Sequence, residues 1–278
     1  MIQAFFEYSF VRNAVAAAFL ASIVVGIIGT IAIEKKLISM SGGIAHASFG
    51  GIGLGYLLGI EPIIGGIAFA VASSALISNL PERSKMRADT MTGILWSFGM
   101  ALGIVFIALA PGYMPDMTSY LFGDILAVSN QYLLYIAIFT AIIILIFVLT
   151  YRHMILYLFD ERFAVARGIN THVLKMIVYM MLPIGIIVLL KVVGIVLTIA
   201  LMTIPVSLAK LLFRSVGKVI LASMAISFLL CMAGLAVSFH VSIPSGACIV
   251  VLAAVCYFIA LVAVNLIKKL LHSHKEHH

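Results

Sequence analysis

The chain has 278 residues, of which 64% are hydrophobic and 10% are charged, and its mean hydropathy is +1.25. An average soluble domain is about half apolar and about a quarter charged, so this composition excludes an ordinary soluble protein and predicts an all-α polytopic membrane protein. The formal net charge of +7 does not indicate nucleic-acid binding, because the basic residues follow the predicted membrane topology instead.

The apolar residues form nine stretches, each about the twenty residues that a helix needs to cross a bilayer. The second and third stretches, and the sixth and seventh, are separated by only a few residues around Glu61-Pro62 and around Lys191, which predicts tight hairpins or broken helices there. The predicted spans are Phe10–Ile33, Leu37–Ile60, Pro62–Leu80, Thr90–Ala110, Tyr132–Leu149, Val173–Leu190, Val192–Phe213, Val219–Phe239 and Ala247–Ile267.

Nearly all of the 17 Lys and Arg residues lie in alternate connections between these spans, and only Arg12 and Lys191 lie on the other side. Cytoplasmic loops carry the excess of Lys and Arg, so this set of connections and the C-terminus are predicted to be cytoplasmic. We therefore expect a multi-pass protein of the cell membrane, in contact with membrane lipid. The predicted division is one permease domain over residues 1–267, followed by a cytoplasmic His-rich tail over residues 268–278.

The second span differs from a lipid-facing helix, because it contains many glycines, small polar residues and one histidine. Small residues mark helix–helix contacts in membranes, and a titratable side chain at membrane depth is costly unless it faces a cavity or a partner. We interpret His46 as an imidazole at the edge of a polar pathway, although a packed or hydrogen-bonded histidine fits the same pattern. Residues four apart share a helix face, which gives two adjacent rows: Gly42, His46 and Gly50, and Gly43, Ala47 and Gly51.

The long inner connection, residues 151–172, has an amphipathic centre over Leu156–Gly168. Phe159, Phe163 and Ala166 can share one face of a helix there, and Gly168 is placed to end it. Such a helix either lies flat on the lipid surface or inserts into a groove of a partner protein.

Three further positions are candidates for function. Asp124 lies in the outer connection and is either a cap for a short helix predicted over 119–127 or a carboxylate in an external vestibule. His240 lies near the outer end of the eighth span and is either a surface imidazole or part of a metal relay. Pro205 is expected to kink the seventh span. The His-rich tail is either a solvated segment or a weak metal site.

The sequence contains no G-x-x-x-x-G-K-[ST] phosphate loop and no H-E-x-x-H motif. The absence of H-E-x-x-H disfavours an intramembrane enzyme. An ion-coupled carrier is disfavoured because the spans hold almost no ionisable relay residues. A transport subunit that takes its energy from a separate ATP-binding chain remains the leading hypothesis.

Five stretches, in this order along the chain, resemble the permease subunits of zinc- and manganese-type ABC importers, which are related to the vitamin B12 and siderophore permeases. They are SMSGGIAHASFGGIGLG at 39–55, SYLFGDILAVS at 119–129, LFDERFAVARGI at 158–169, ALMTIPVSLAKLL at 200–212 and IPSGACIVVLAA at 243–254. Together they span most of the chain.

The resemblance implies a type II importer permease fold and a homodimer with its translocation path at the dimer axis. It also implies two cytoplasmic ATP-binding subunits and an external metal-binding protein. The chain itself would have no catalytic site and no bound cofactor, with a divalent metal as its substrate and ATP held by the partner. The segment containing Phe159, Asp160, Phe163, Ala166 and Gly168 would be the coupling helix that docks on the ATPase.

In many members of this family an aspartate lies four residues before the histidine, and the two form a gate that contacts the metal. His46 matches the histidine, whereas Gly42 stands at the aspartate position. His46 is thus the leading metal contact, with Asp124 and His240 as lesser candidates. Because imidazole favours zinc and carboxylate favours manganese, zinc is the first expectation, followed by manganese or iron.

Overall fold

The computed structural model describes residues 8–79, 85–111, 121, 123, 125–241 and 243–275. All regular structure within these residues is helical, which confirms the predicted all-α class, and the nine long helices there match the nine predicted spans. The helices are α1 (Ser9–Glu34), α2 (Ile38–Leu58), α3 (Pro62–Ser78), α4 (Lys85–Leu109), α5 (Asn130–Phe159), α6 (Glu161–Ala166), α7 (Thr171–Val193), α8 (Ile195–Leu212), α9 (Val216–Val241) and α10 (Ser245–Lys275).

Six of the described helices are long and apolar enough to cross a membrane by length and composition alone, namely α1, α4, α5, α7, α9 and α10. Helices α3 and α8 are apolar but shorter. Helix α2 is long enough, but its glycines, its serines and His46 lower its hydropathy. Its neighbours therefore have to shield it from lipid.

Helix α5 extends ten residues beyond the predicted end at Leu149 and stops at Phe159. The predicted end was wrong because it was placed just before the basic residues that follow Leu149. No helix breaker lies between Leu149 and Asp160, so the helix continues. Met154 and Tyr157 in this extension are buried, so packing stabilises it. Similarly, α10 continues past Ile267 to Lys275, since no Gly or Pro interrupts that stretch, while residues 276–278 of the predicted tail lie outside the described part.

The break between the sixth and seventh predicted spans lies at Gly194, three residues after the expected position at Lys191. Gly194 has φ 83° and ψ 170°, a conformation that side chains other than glycine rarely adopt. The break is buried between Val193 and Ile195, neither of which is exposed. The Gly194 carbonyl accepts two hydrogen bonds from Thr198, one from its backbone N–H at 3.2 Å and one from its hydroxyl at 2.6 Å.

Helix α1 is the central helix of the bundle and contacts α5, α7, α8 and α9. One turn of π-helix, Val25–Gly29, interrupts it. A Cβ at Gly29 would lie 2.7 Å from the Met202 carbonyl oxygen of α8, and a Cβ at Gly26 would lie 2.9 Å from the Ile220 carbonyl oxygen of α9. Glycines thus let the wider turn pack directly against two neighbouring backbones.

Helix α2 packs most extensively against α4 and α3, and glycines form the contact with α4. A Cβ at Gly50 would lie 2.9 Å from the Gly99 carbonyl oxygen, and a Cβ at Gly53 would lie 2.5 Å from the Gly103 carbonyl oxygen. Real Cβ atoms essentially never come this close to another atom, so the two backbones approach to a distance that excludes any side chain.

The contact of α2 with α3 has the same construction. Gly51 and Gly65 face each other backbone to backbone, and a Cβ at Gly55 would lie 2.7 Å from the Pro62 Cα atom. The short connection between the two helices therefore closes a tight antiparallel hairpin, with α2 held between α3 and α4.

We expect Gly50→Leu to destabilise the chain by about 1–3 kcal/mol or more, because the new side chain has to separate α2 from α4. Thermal denaturation of the purified chain in detergent measures this loss. Gly93→Leu on α4 is the matched control, since a Cβ at Gly93 meets nothing within 4 Å. Equal stability of the two variants would contradict the packing described here.

Candidate functional site

His46 lies in the middle of α2 and is 6% exposed. Its Nδ1 atom is buried and has no hydrogen-bond partner among the described residues. Leaving a buried polar atom unpaired costs roughly 1–3 kcal/mol, and such an atom in a native structure requires an explanation, for which an ion is one. A neutral imidazole nitrogen in this state is available as a metal ligand.

Trp96 of α4 stacks on the His46 ring. The ring centroids are 3.9 Å apart and the planes differ by 11°. Trp96 is the single tryptophan of the chain, and it is 39% exposed. The sequence analysis did not select it, although a lone tryptophan within an apolar span is a signal that could have drawn attention to it.

A side chain at position 42 would require the Ile199 side chain to move. A Cβ at Gly42 would lie 2.6 Å from Ile199 Cδ1 of α8 and 3.6 Å from Trp96 Cζ3. Helices α2, α4 and α8 therefore meet at this site. The place where the family resemblance puts a carboxylate is occupied by an aliphatic side chain and by the edge of an indole.

The described residues contain no group of three or more His, Cys, Asp or Glu side chains that could hold a metal ion. Chemically, the arrangement around His46 provides one nitrogen contact beside an aromatic face, which suits an ion that passes rather than one that stays.

The other sequence candidates do not join this site. Asp124 lies outside the described residues, as do residues 119, 120 and 122 of the short helix predicted over 119–127; Ile125–Ala127 form a turn of 3-10 helix. His240 is exposed near the end of α9, beside Phe239. Pro205 lies inside α8 and is buried.

Gly43 and Ala47, the second row of small residues on α2, also face α4. A Cβ at Gly43 would lie 3.1 Å from the Thr92 carbonyl oxygen, and a Cβ at Gly99 would lie 2.8 Å from the Ala47 carbonyl oxygen. The structure thus gives these two positions a packing role, next to the row that contains His46.

The amphipathic segment of the inner connection forms the short helix α6. The Asp160 carboxylate caps its start by accepting hydrogen bonds from the backbone N–H groups of Arg162 at 2.8 Å and Phe163 at 3.1 Å. Asp160 is thus the N-cap residue rather than a helical position. Phe159, which we expected inside this helix, is the last residue of α5 and is 83% exposed.

The end of α6 has the hydrogen bonds of a Schellman motif. Gly168 has φ 75°, its N–H donates to the Val165 carbonyl at 2.9 Å, and the Ile169 N–H donates to the Ala164 carbonyl at 3.1 Å. Gly168 therefore stands where the sequence placed the helix stop. Ala164 is fully buried against the bundle, which leaves the opposite side of α6 uncovered.

Phe163 and Ala166 lie on the uncovered side of α6, and Phe163 is 43% exposed. Phe159 is also exposed, and the three side chains lie at the end of the bundle that the positive-inside pattern predicts to be cytoplasmic. The single helix that we expected to carry all three is not formed, because Phe159 belongs to α5 and only Phe163 and Ala166 belong to α6.

Ion pairs attach the turn between α1 and α2 to two other helices. Lys35 Nζ lies 3.1 Å from Glu161 Oε2 of α6 and 3.2 Å from the centroid of the Tyr157 ring of α5. The neighbouring Glu34 accepts from Lys210 of α8 at 2.8 Å. The sequence alone did not predict these two ion pairs, because no local pattern connects residues so far apart in the chain.

We expect Lys35→Met to loosen α6, because the change removes both the ion pair with Glu161 and the cation–π contact with Tyr157. The two together are worth roughly 1 kcal/mol at a partly exposed site, which corresponds to about fivefold faster local opening. Limited trypsin digestion with mass spectrometry would measure the cleavage rate after Arg162 and Arg167.

Lys36→Met is the matched control for this experiment, since Lys36 is the exposed neighbour of Lys35 in the same turn. An equal increase in cleavage for both variants would indicate a general effect of removing charge, and no increase for Lys35→Met would contradict the attachment.

These features define a class. A multi-pass helical bundle with an unpaired imidazole among its packed helices agrees with the transport subunit expected from the sequence. The chain belongs to the ABC 3 transport family, whose model matches residues 7–264. The resemblance found in the sequence is thereby confirmed.

Similar proteins support the same assignment over nearly the full length. The manganese transport system membrane protein MntC of Listeria monocytogenes is 30% identical over 93% of this chain and 92% of its own. A probable iron transport system membrane protein of Haemophilus influenzae is 31% identical over 92% and 94%. The structure is similar to PsaBC from Streptococcus pneumoniae in complex with Fab, with a TM-score of 0.84, 27% identity and 93% of each chain covered.

Family membership confirms three further predictions. The chain is a multi-pass membrane protein, it is a transport subunit rather than an enzyme, and the ATP is hydrolysed by a separate subunit. The type II permease-like fold expected from the resemblance is confirmed as well. The two alternatives, an ion-coupled carrier and an intramembrane enzyme, find no support in these matches.

Proposed function

We propose that this chain is the permease of an ATP-driven importer of a divalent transition-metal ion, and that His46 contacts the ion on its way through. The observation that carries the proposal is the buried Nδ1 atom of His46, which has no hydrogen-bond partner among the described residues. The names of the similar Listeria and Haemophilus proteins, which refer to manganese and iron transport, support the class of substrate.

In this proposal the chain works as a homodimer in the cell membrane. Two ATP-binding subunits dock on its cytoplasmic side, and an external metal-binding protein delivers the ion. The chain holds no cofactor of its own. The metal is cargo, which agrees with a site that offers one contact point and, among the described residues, no group of three or more ligands.

Two observations bear on the choice of metal, and they favour different ions. The single side-chain donor at the site is a nitrogen, which favours zinc over manganese. The names of the relatives favour manganese and iron instead. Competition among the three ions for uptake by membranes containing the whole complex decides between them.

We expect His46→Ala to reduce metal uptake at least about tenfold, because the ion loses its nitrogen contact. Radiometal uptake into vesicles that contain the whole complex measures the effect. His240→Ala is the matched control, since it removes an exposed imidazole at the end of α9. Uptake at the wild-type rate in His46→Ala would show that His46 is a packing residue, provided that both variants assemble equally.

We also propose that the apolar surface formed by Phe159, Phe163 and Ala166 is where the ATP-binding subunit docks. The surface is exposed, it is apolar, and α6 is fastened from behind by the buried Ala164 and by the ion pair to Lys35. A helix held by these contacts can transmit movement of a docked subunit to the rest of the bundle, whereas an unattached loop would move on its own.

Phe163→Asp should place an unpaired charge in this contact and reduce co-purification of the ATP-binding subunit at least about tenfold. Membrane insertion of the permease should stay unchanged and its thermal stability should change little, because Phe163 is exposed and Ala164 is the residue of α6 that is buried against the bundle. Phe213→Asp is the matched control, since Phe213 is a similarly exposed phenylalanine just after α8. Unchanged co-purification of Phe163→Asp would show that the subunit docks elsewhere.

A further inference from the structure

We propose that Trp96 is the positioning residue of this site: its indole holds the His46 imidazole in the plane that presents the unpaired nitrogen to the ion, and its face stabilises the ring once the ion is bound. The inference rests on the proposed contact between His46 and the metal. It adds a second residue, from a different helix, to which neither the family match nor the relatives assign a role.

The orientation of the His46 ring depends on Trp96. A histidine that binds a metal is normally fixed by a hydrogen bond at its other nitrogen or by neighbouring groups, and rotation of a histidine ring about its last torsion is otherwise loosely restricted. Among the described residues, neither Nδ1 nor Nε2 of His46 has a hydrogen-bond partner. The nearly parallel stack at 3.9 Å and 11° is the contact that sets the ring plane.

Trp96 also stabilises positive charge on the imidazole of His46. The face of an indole is electron-rich and attracts positive charge, and tryptophan is the strongest side chain in this respect. An imidazole that coordinates a divalent ion becomes more positive than a free neutral one. The stack therefore strengthens when the ion binds, so Trp96 favours the loaded state over the empty one.

Gly42 lies beside the indole, one helical turn before His46. A Cβ at position 42 would lie 3.6 Å from Trp96 Cζ3, an ordinary van der Waals distance, and 2.6 Å from Ile199 Cδ1. The indole therefore contacts α2 near Gly42 as well as at His46, and Ile199 of α8 packs against the same position of α2.

The surroundings of Trp96 differ from those of a residue that only fills space. Trp96 is 39% exposed, so it does not complete a closed core, and its face lies against the imidazole of His46. Leucine can replace a space-filling tryptophan in part, but it offers no π face. Phenylalanine offers a π face with less volume. The two substitutions therefore separate stacking from packing.

The first experiment uses tryptophan fluorescence of the purified full-length chain in detergent. Because Trp96 is the sole tryptophan, all indole emission reports this site. We expect Mn²⁺, which is paramagnetic, to quench the emission saturably when it binds the stacked imidazole, and we expect no saturable quenching in His46→Ala. Absence of His46-dependent quenching in a chain that still imports Mn²⁺ would overturn the stack as part of the binding site.

The second experiment measures the KM for metal uptake by the whole complex. We expect Trp96→Leu to raise KM about tenfold, the size of a buried cation–π contact, and Trp96→Phe to restore most of the loss. Phe98→Leu, a change of an exposed aromatic on the same helix that does not stack on His46, should leave KM unchanged. A wild-type KM in a well-assembled Trp96→Leu complex overturns the inference.

The outcomes distinguish this inference from the proposed function. If His46→Ala loses uptake while Trp96→Leu keeps the wild-type KM, the metal contact stands and the role of Trp96 is wrong. If His46→Ala and Trp96→Leu both import normally, the metal contact itself is wrong. Should Trp96→Leu fail to assemble, Trp96→Phe and the wild-type fluorescence titration decide the question.

Discussion

The structure depends on the direct backbone contact of α2 with α3 and α4. In a bilayer, lipid competes with protein for apolar side chains, so helices associate through close packing more than through a hydrophobic driving force. Glycines at Gly50, Gly51 and Gly53 allow that packing, each against a backbone in a neighbouring helix. The same contact shields a helix too polar for lipid, and it places His46 within stacking distance of Trp96.

The turn between α1 and α2 connects this packed unit to the rest of the bundle. Lys36 takes a left-handed conformation there, with φ 58°, so that α2 starts at Ile38 almost directly after α1 ends. Lys35 holds α6 and Glu34 holds α8. Contacts consequently connect α6 with the site by two routes, one through the start of α2 and one through α8, whose Ile199 lies against Gly42.

Much of the fold could be predicted from the sequence because a chain in lipid must satisfy its backbone hydrogen bonds within helices. Hydropathy alone therefore located nine helices, and spacing by four placed Gly42, His46 and Gly50 on one face of α2. The end of α5 was missed because the stabilising feature, the burial of Met154 and Tyr157, is tertiary and leaves no local mark.

The site was only half predictable for the same reason. His46 stands out in its own helix, since an imidazole among glycines in an apolar span is unusual. Trp96 and Ile199 become part of the site only when α4 and α8 pack against α2, and no pattern within one chain connects those positions. The ion-pair partners of Lys35 and Glu34 could not be predicted for the same reason, although the sequence shows all of the charged residues.

The combination of one nitrogen and one aromatic face has a consequence for transport, if His46 contacts the ion as proposed. A carboxylate beside the imidazole would attract a divalent ion far more strongly in a medium of low dielectric constant than in water, and a site on a pathway has to release what it binds. An indole stabilises the charged complex without adding a full negative charge. Such a site favours passage over retention, so discrimination among metals would fall mainly to the protein that delivers the ion, and less to the permease.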